Sequence, residues 1–258
     1  MKSNFGDHVG VTVAGHVAVV TIDRAPHNHV TVDFMRDLAD AFEAIDGEIE
    51  LRCSVLQAEG KNFCAGADLV RREDQGGLGA VNPLYDEAVR LFSAKKPIVA
   101  AVQGAAVGAG LGLAVMADFR IASPDARFAA NFVKLGFHPG FGLTYTLPRL
   151  IGPTKAELMC LTGRRVKAEE GLPWGLVDEV VPLEELRAAA LRLAEEIAEN
   201  APLAIVSTRK TLRGEVAAAV RAQTDKEAVE QGWLRDTEDY KEGVRSVSER
   251  RVGNFTGR

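Results

Sequence analysis

"GAAVGAGLGLAVMADFRIA" (104–122) sends four glycines, Gly104, Gly108, Gly110 and Gly112, straight into an apolar run and then a β-prone segment. Glycine at this spacing lets one stretch of backbone lie directly against another. The periodicity predicts a buried helix over 108–116 and a strand over 118–123. A helix start without side chains presents bare N–H groups, backed by the positive end of the helix dipole. Just upstream, "PIVAAVQG" (97–104) is a continuous apolar run of the kind buried in a parallel sheet.

Outward from this centre, strands and helices alternate. "VGVTVAGHVAVVTIDR" (9–24) alternates on both sides of Ala14-Gly15 and predicts a β-hairpin. "TVDFMRDLADAFEAID" (31–46) places Val32, Met35, Leu38, Phe42 and Ile45 on one helical face, with Thr31 as N-cap. "LRCSVLQAEG" (51–60) is a short strand ending in a glycine turn, 71–82 is a charged Gly-rich loop, and "PLYDEAVRLFSAK" (83–95) is an amphipathic helix. From Pro153 onward the pattern is almost wholly helical; "PLEELRAAALRLAEEIAENAP" (182–202) is the clearest case, with Leu183, Leu186, Ala190, Leu193 and Ile197 as its apolar positions. No linker interrupts the chain. The reading is an α/β core over residues 1–195 followed by a helical region over 196–258.

Composition narrows the function. The 258 residues are 47% hydrophobic and carry a formal net charge of −5, which does not fit a binder of nucleic-acid backbone. Three cysteines, Cys53, Cys64 and Cys160, have neither paired nor metal-ligand spacing and suit a reducing cytoplasm. No long apolar run marks a signal peptide or a membrane span, so a cytoplasmic setting is expected. The glycines do not spell a dinucleotide fingerprint, and the phosphate-loop, nucleophile-elbow and H-E-x-x-H motifs are missing. His27 and His29 flank a loop asparagine, an arrangement that does not point to a metal.

"GKNFCAGADL" (60–69), taken together with "AAVQGAAVGAGLGLAVMADFRIA" (100–122), resembles the crotonase superfamily, the enoyl-CoA hydratase/isomerase group. "DRAPHNHV", "PGFGLTYTLPRLIG", "LTGRRVKAEEGLPWGLVDEVVP" and the closing "RDTEDYKEGVRSVSERRVGNF" extend the resemblance nearly end to end. It implies a crotonase-like spiral of ββα repeats with a helical C-terminal oligomerisation region. It further implies a homotrimer or a hexamer built as a dimer of trimers, an acyl-CoA thioester substrate, and no cofactor beyond the coenzyme A of that substrate. By position, the backbone N–H groups of Ala67 and Ala109 form the oxyanion hole, because an enolate needs preorganised donors in a dry site. The resemblance places coenzyme A along Arg24, Pro26, Ala65, Asp68 and Leu69, and the acyl part near Val107, Gly110, Phe132, Pro139 and Gly140. Taken alone, G-A-G-L-G would equally serve to pack a helix on a sheet, and Asp68 could simply hold its turn.

The sequence departs from the family pattern at the acid–base positions. Hydratases of this group use two glutamates, one as base toward water and one as acid toward the α-carbon. Their positions here are Gly112 and Phe132, and the alternative aspartate position after the proline is Gly140. Candidates for the missing proton transfer are His138, as a general base, and Tyr85 and Glu87 on the helix after the Gly-rich loop; Asp86 reads as solvated. The leading expectation is an enolate-stabilising enzyme, nominally an enoyl-CoA hydratase/isomerase. Other enolate reactions (isomerisation, thioester hydrolysis, decarboxylation, carbon–carbon cleavage) stay open, as does an acyl-CoA-binding protein without turnover.

Overall fold

The computed structural model describes residues 3–67 and 81–258, so Asp68, Leu69 and most of the Gly-rich loop lie outside the described residues. In chain order the elements begin with β1 (Asn4–Phe5), β2 (Val9–Ala14), β3 (Val17–Ile22), α1 (Val32–Gly47), β4 (Cys53–Ala58) and α2 (Val81–Phe92). The centre holds β5 (Ile98–Val102), β6 (Ala105–Val107), α3 (Ala109–Met116), β7 (Phe119–Ala122), β8 (Arg127–Ala129) and a 3-10 turn at Asn131–Leu135. Then come α4 (Leu143–Ile151), α5 (Pro153–Thr162), β9 (Val166–Lys167), α6 (Ala168–Gly171), β10 (Glu179–Val180), α7 (Leu186–Ala198), α8 (Pro202–Arg213), α9 (Val216–Leu234) and α10 (Glu238–Ser248).

Seven strands form one sheet in the order β1-β2-β3-β4-β5-β7-β10. The first three are antiparallel and the rest are added in parallel, as helical crossovers require. The predicted hairpin is β2–β3, turning at Gly15 (φ +57°). A second sheet, β6-β8-β9, stands apart and carries the chain from β5 into α3. Thr31 Oγ1 caps α1 by accepting from the Phe34 N–H, and Phe34, Met35, Leu38, Phe42 and Ile45 are buried.

α3 is apolar all round, as a helix sunk in the core must be; every residue from Gly110 to Met116 is buried. Its depth depends on glycine, because a Cβ on Gly110 would overlap the Cys64 carbonyl oxygen. Burial also pushes the Cys64 thiol up to about 12, so this cysteine behaves as a small apolar residue.

The second face of the large sheet is covered by α7, whose contact residues are small. Ala189, Ala190, Ala194 and Ala198 pack with Leu186 over Val17, Cys53, Val99 and Ile121. The helix begins at Leu186, later than expected: Leu183 sits in a preceding 3-10 turn and is exposed. The position dividing the sequence at 195 falls inside α7. α8 is held to the end of α3 by ions: Arg209 Nε donates to both Asp118 carboxylate oxygens (3.0 and 2.9 Å), and Arg213 Nη1 donates to Asp118 Oδ1 and to the Met116 carbonyl (both 3.1 Å). These cations satisfy the carbonyl end of α3 and complement its dipole. α9 lies against α2 and α4, and α10 lies against the Asn131–Leu135 turn.

Candidate active site

Two backbone strips converge at the start of α3. The strip Ala65–Ala67 is placed by the Cys64 N–H donating to the Ala105 carbonyl (2.9 Å) and the Val107 N–H to the Cys64 carbonyl (3.1 Å). A Cβ on Gly66 (φ +87°) would meet the Val107 carbonyl oxygen at 2.6 Å and the Ala109 nitrogen at 3.8 Å, so only glycine lets the strips come this close. Gly108, the N-cap of α3, holds φ 58° and ψ −118°, a conformation closed to other residues. Among the described residues, no acceptor takes the N–H of Ala67 or of Ala109. Both residues line one cavity, with the N-terminus of α3 behind Ala109.

The cavity brings together Ala65, Ala67, Tyr85, Val107, Ala109 and Phe132 of the residues singled out in the sequence. Among the described residues, Arg24, Pro26, Gly110, His138, Pro139 and Gly140 do not line it. Gly110 is spent on contact with Cys64. Arg24 donates from Nη1 to the His29 carbonyl (2.5 Å), while Pro26 is exposed beside it. Pro139 and His138 line a different hollow, shared with Thr144, Cys160 and Trp233. The His138 Nδ1 lies 2.7 Å from the Pro139 carbonyl.

Gly112 and Phe132, the positions at which the resemblance implies glutamates, are filled differently. Phe132 lines the cavity and is 8% exposed. At Gly112 the space a side chain would enter is taken by Phe141, whose Cγ would stand 2.5 Å and Cε1 2.9 Å from a Cβ there. Phe141 is fully buried and holds φ +64°, an unusual conformation for a bulky residue that aims its ring back over α3. The space beside Gly112 on α3 is thus filled by an aromatic ring.

Of the three candidates on α2, only Tyr85 faces inward. Glu87 accepts from Arg90 Nη1 (2.6 Å) and pairs with Arg36 Nε (3.4 Å), and Asp86 accepts from Arg221 Nη1 (2.5 Å). Tyr85 lines the cavity and donates from its hydroxyl to Gln231 Oε1 (2.9 Å); Gln231 in turn donates from Nε2 to the His138 carbonyl (2.9 Å). A Cβ on Gly140 would overlap the Tyr85 hydroxyl and lie 2.6 Å from Gln231 Nε2. The tyrosine therefore occupies the place that a side chain at the alternative acid position would use.

Sequence reading missed Asn131, Arg235 and Gln231. Asn131 and Arg235 line the cavity, and Gln231 is buried behind Tyr85. Also missed was Glu227 of α9, which accepts from the Gly142 N–H (2.8 Å), the Thr144 N–H (3.1 Å) and Thr144 Oγ1 (2.6 Å), and so caps α4 from across the chain. Burial raises its carboxyl above the usual range, outweighing these hydrogen bonds. Glu227 and Gln231 on α9 and Arg235 just past its end follow one another at helical spacing, but periodicity alone does not say that this face meets the site.

A fold of ββα turns around a pair of free amides at a glycine-rich helix start defines a class that known relatives make specific. The family described as enoyl-CoA hydratase/isomerase matches residues 12–258. The chain is 37% identical to (E)-benzylidenesuccinyl-CoA hydratase of Thauera aromatica, over 96% of this chain and 99% of that one. It is 33% identical to short-chain-enoyl-CoA hydratase of Clostridium acetobutylicum, over 95% and 96%. Among solved structures, carnitinyl-CoA hydratase from Mycobacterium avium superposes with a TM-score of 0.88 at 32% identity, covering 97% of this chain and 99% of that one. The enoyl-CoA hydratase/isomerase of Pseudoalteromonas atlantica does so with a TM-score of 0.86 at 30% identity, over 97% and 100%. The chain belongs to the enoyl-CoA hydratase/isomerase family of the crotonase superfamily.

Proposed function

We propose that this protein binds an acyl-CoA thioester with its carbonyl oxygen between the N–H groups of Ala67 and Ala109, and adds water across a 2-enoyl double bond through the resulting enolate. The observation that carries the reading is the pair of amides, without acceptors among the described residues, that face one cavity at the start of α3. Such donors stabilise charge as it develops, each worth on the order of 10²–10³ in turnover. Hydration in named relatives supports the direction of the chemistry.

The proton transfers fall to different groups than in a two-glutamate enzyme. Tyr85 is the proton-transfer group in this reading: its hydroxyl lies in the cavity wall and is held in orientation by Gln231. Asn131, near Gly108, is the second polar side chain able to hold a water, since its Oδ1 would lie 3.7 Å from a Cβ on that glycine. The water oxygen bonds to the β-carbon and its proton passes to bulk solvent, while the α-carbon of the enolate takes the proton of the Tyr85 hydroxyl, which solvent then restores. A second reading, acyl-CoA binding without turnover, is favoured by the apolar filling at Gly112 and Phe132, where the resemblance implies glutamates.

The test is turnover of trans-2-enoyl-CoA esters, short to long, in ¹⁸O-labelled water with products identified by mass. Incorporation of one labelled oxygen, and a loss of about 10²–10⁴ in Tyr85→Phe, is expected. Esters that bind and return unchanged overturn hydration in favour of the binding-only reading, whereas a product of unchanged mass and shifted double bond makes the protein an isomerase.

A further inference from the structure

We infer that Phe137 fixes the length of acyl chain taken here: it ends the acyl cavity at a short chain and parts it from a larger hollow. This rests on the proposed thioester site and deepens it to one substrate class, short-chain 2-enoyl thioesters. The cavity that holds Ala67 and Ala109 has a volume of about 90 Å³. A dry apolar cavity of about 150 Å³ admits benzene, so on that scale a carbonyl and roughly three further carbons fill this one. Beyond it lies a second hollow of about 550 Å³, with Cys160, Leu161, Trp233, Leu234 and Phe255 in its lining. Among the described residues, Phe137 alone lines both.

The backbone on which Phe137 sits is pinned from two directions. The 3-10 turn Asn131–Leu135 ends at Gly136, which holds φ +62°, and a Cβ there would lie 2.6 Å from the Asp239 carbonyl oxygen in the first turn of α10. Only glycine lets the helix come this close. One turn further along α10, a Cβ on Gly243 would overlap the Leu135 backbone. The Phe137 N–H donates to the Phe132 carbonyl (3.0 Å), which ties the residue back to the turn. Its ring packs on that of Tyr240 with 5.2 Å between centroids, a separation at which aromatic pairs gain beyond their burial. A close-packed interior leaves such a ring little room to move aside, so it acts as a fixed stop. The hollow behind it is lined largely by apolar side chains, and methylenes that reached it would be buried there.

The test measures the affinities of butyryl-, hexanoyl-, octanoyl- and decanoyl-CoA, saturated thioesters that bind without reacting, by calorimetry. Wild type is compared with Phe137→Ala and Phe137→Leu, each variant first checked for a cooperative thermal transition. In wild type, decanoyl-CoA is expected to bind no tighter than butyryl-CoA. In Phe137→Ala the affinity is expected to rise about two- to fourfold per added methylene, the upper value being that of a fully buried CH₂, which over the series makes decanoyl-CoA about 60-fold or more the tighter ligand. Phe137→Leu, with a shorter apolar side chain, is expected to show the rise as far as hexanoyl-CoA, and it decides the matter if the alanine variant does not fold. Decanoyl-CoA is further expected to slow alkylation of Cys160, which lines the hollow, in Phe137→Ala and not in wild type. A wild-type affinity that climbs through decanoyl-CoA overturns the inference and leaves the thioester site standing. A flat profile kept in the folded variants overturns the assignment of Phe137, and tight decanoyl-CoA binding with unchanged Cys160 labelling overturns the part given to the hollow. Failure of all four esters to bind wild type overturns the thioester reading itself, and the inference with it.

Discussion

Replacing Gly112 by alanine tests whether the aromatic filling beside it on α3 is a tight fit. On helix propensity alone, alanine gains about 1 kcal/mol over glycine. Against this, the new methyl would overlap Phe141 Cδ1, with Cγ at 2.5 Å and Cε1 at 2.9 Å, against ordinary carbon contacts of about 3.5–4.0 Å. The ring has to retreat by roughly 1 Å, but it is fully buried and set edge-on to Phe92 at 6.3 Å between centroids. Overpacking of this kind costs about 1–3 kcal/mol, and a near-axial overlap with the ring belongs at the upper end. The net is a loss of about 2 kcal/mol after the propensity gain. Phe141→Ala alone loses about 3–5 kcal/mol, and the double variant is expected to fall short of the sum by about 3 kcal/mol, because the clash is gone while the propensity gain stays. Urea unfolding with unchanged slopes reads all three values. Gly112→Ala as stable as wild type, or strictly additive losses, would refute the tight fit. The same overlap means that Gly112→Glu by itself installs no working carboxylate.

Three shorter predictions follow from buried and exposed groups. Burial raises the Glu227 carboxyl, so its contribution to stability is fully present below its unfolded value near 4.5 and is lost as pH rises through the folded value. The stability of wild type minus that of Glu227→Gln should accordingly decrease from acid toward neutral pH, and an increase would show that the hydrogen bonds to Gly142 and Thr144 outweigh burial. Burial pushes Cys53 and Cys64 up to about 12 and Cys160 up to about 11; a thiol reagent at pH 8 should label the native protein slowly, reaching the partly exposed Cys160 first. Leu161, Leu203, Leu212, Val229 and Trp233 expose large apolar surfaces on α5, α8 and α9, in keeping with assembly of copies; light scattering should report a trimer or a multiple of three, and a monomer would refute that assembly.

Much of this architecture is legible in the sequence because single periodicities carry it. The hairpin β2–β3 and the capped face of α1 follow from alternation and 3.6-residue spacing, and the depth of α3 follows from Gly108 and Gly110. The start of α7 was harder, since Leu183 fits the apolar pattern but precedes the helix proper. The acid–base question was legible as an absence, at Gly112 and Phe132, but its resolution was not. Which of Tyr85, Asp86 and Glu87 turns inward depends on Arg36, Arg90 and Arg221 drawing the two acids outward, and of these partners Arg36 and Arg221 are remote in sequence. His138 stands near the alternative acid position in sequence, yet it lines a separate hollow, with its carbonyl accepting from Gln231 Nε2. Arg235 reaches the cavity only because α9 packs across α2 and α4, a long-range contact that no local pattern encodes.

The most direct test of the amide pair is the carbonyl stretch of a bound thioester. Butyryl-CoA labelled with ¹³C at the carbonyl would be read by isotope-edited infrared spectroscopy on wild type and on Ala109→Pro, since proline at the first helical position keeps the helix start and removes one donor. A stretch lowered on binding to wild type, and returned part-way toward its free value in Ala109→Pro, is the predicted result. A bound ester whose carbonyl frequency matches the free ester in water, or is equally lowered in both proteins, would contradict it.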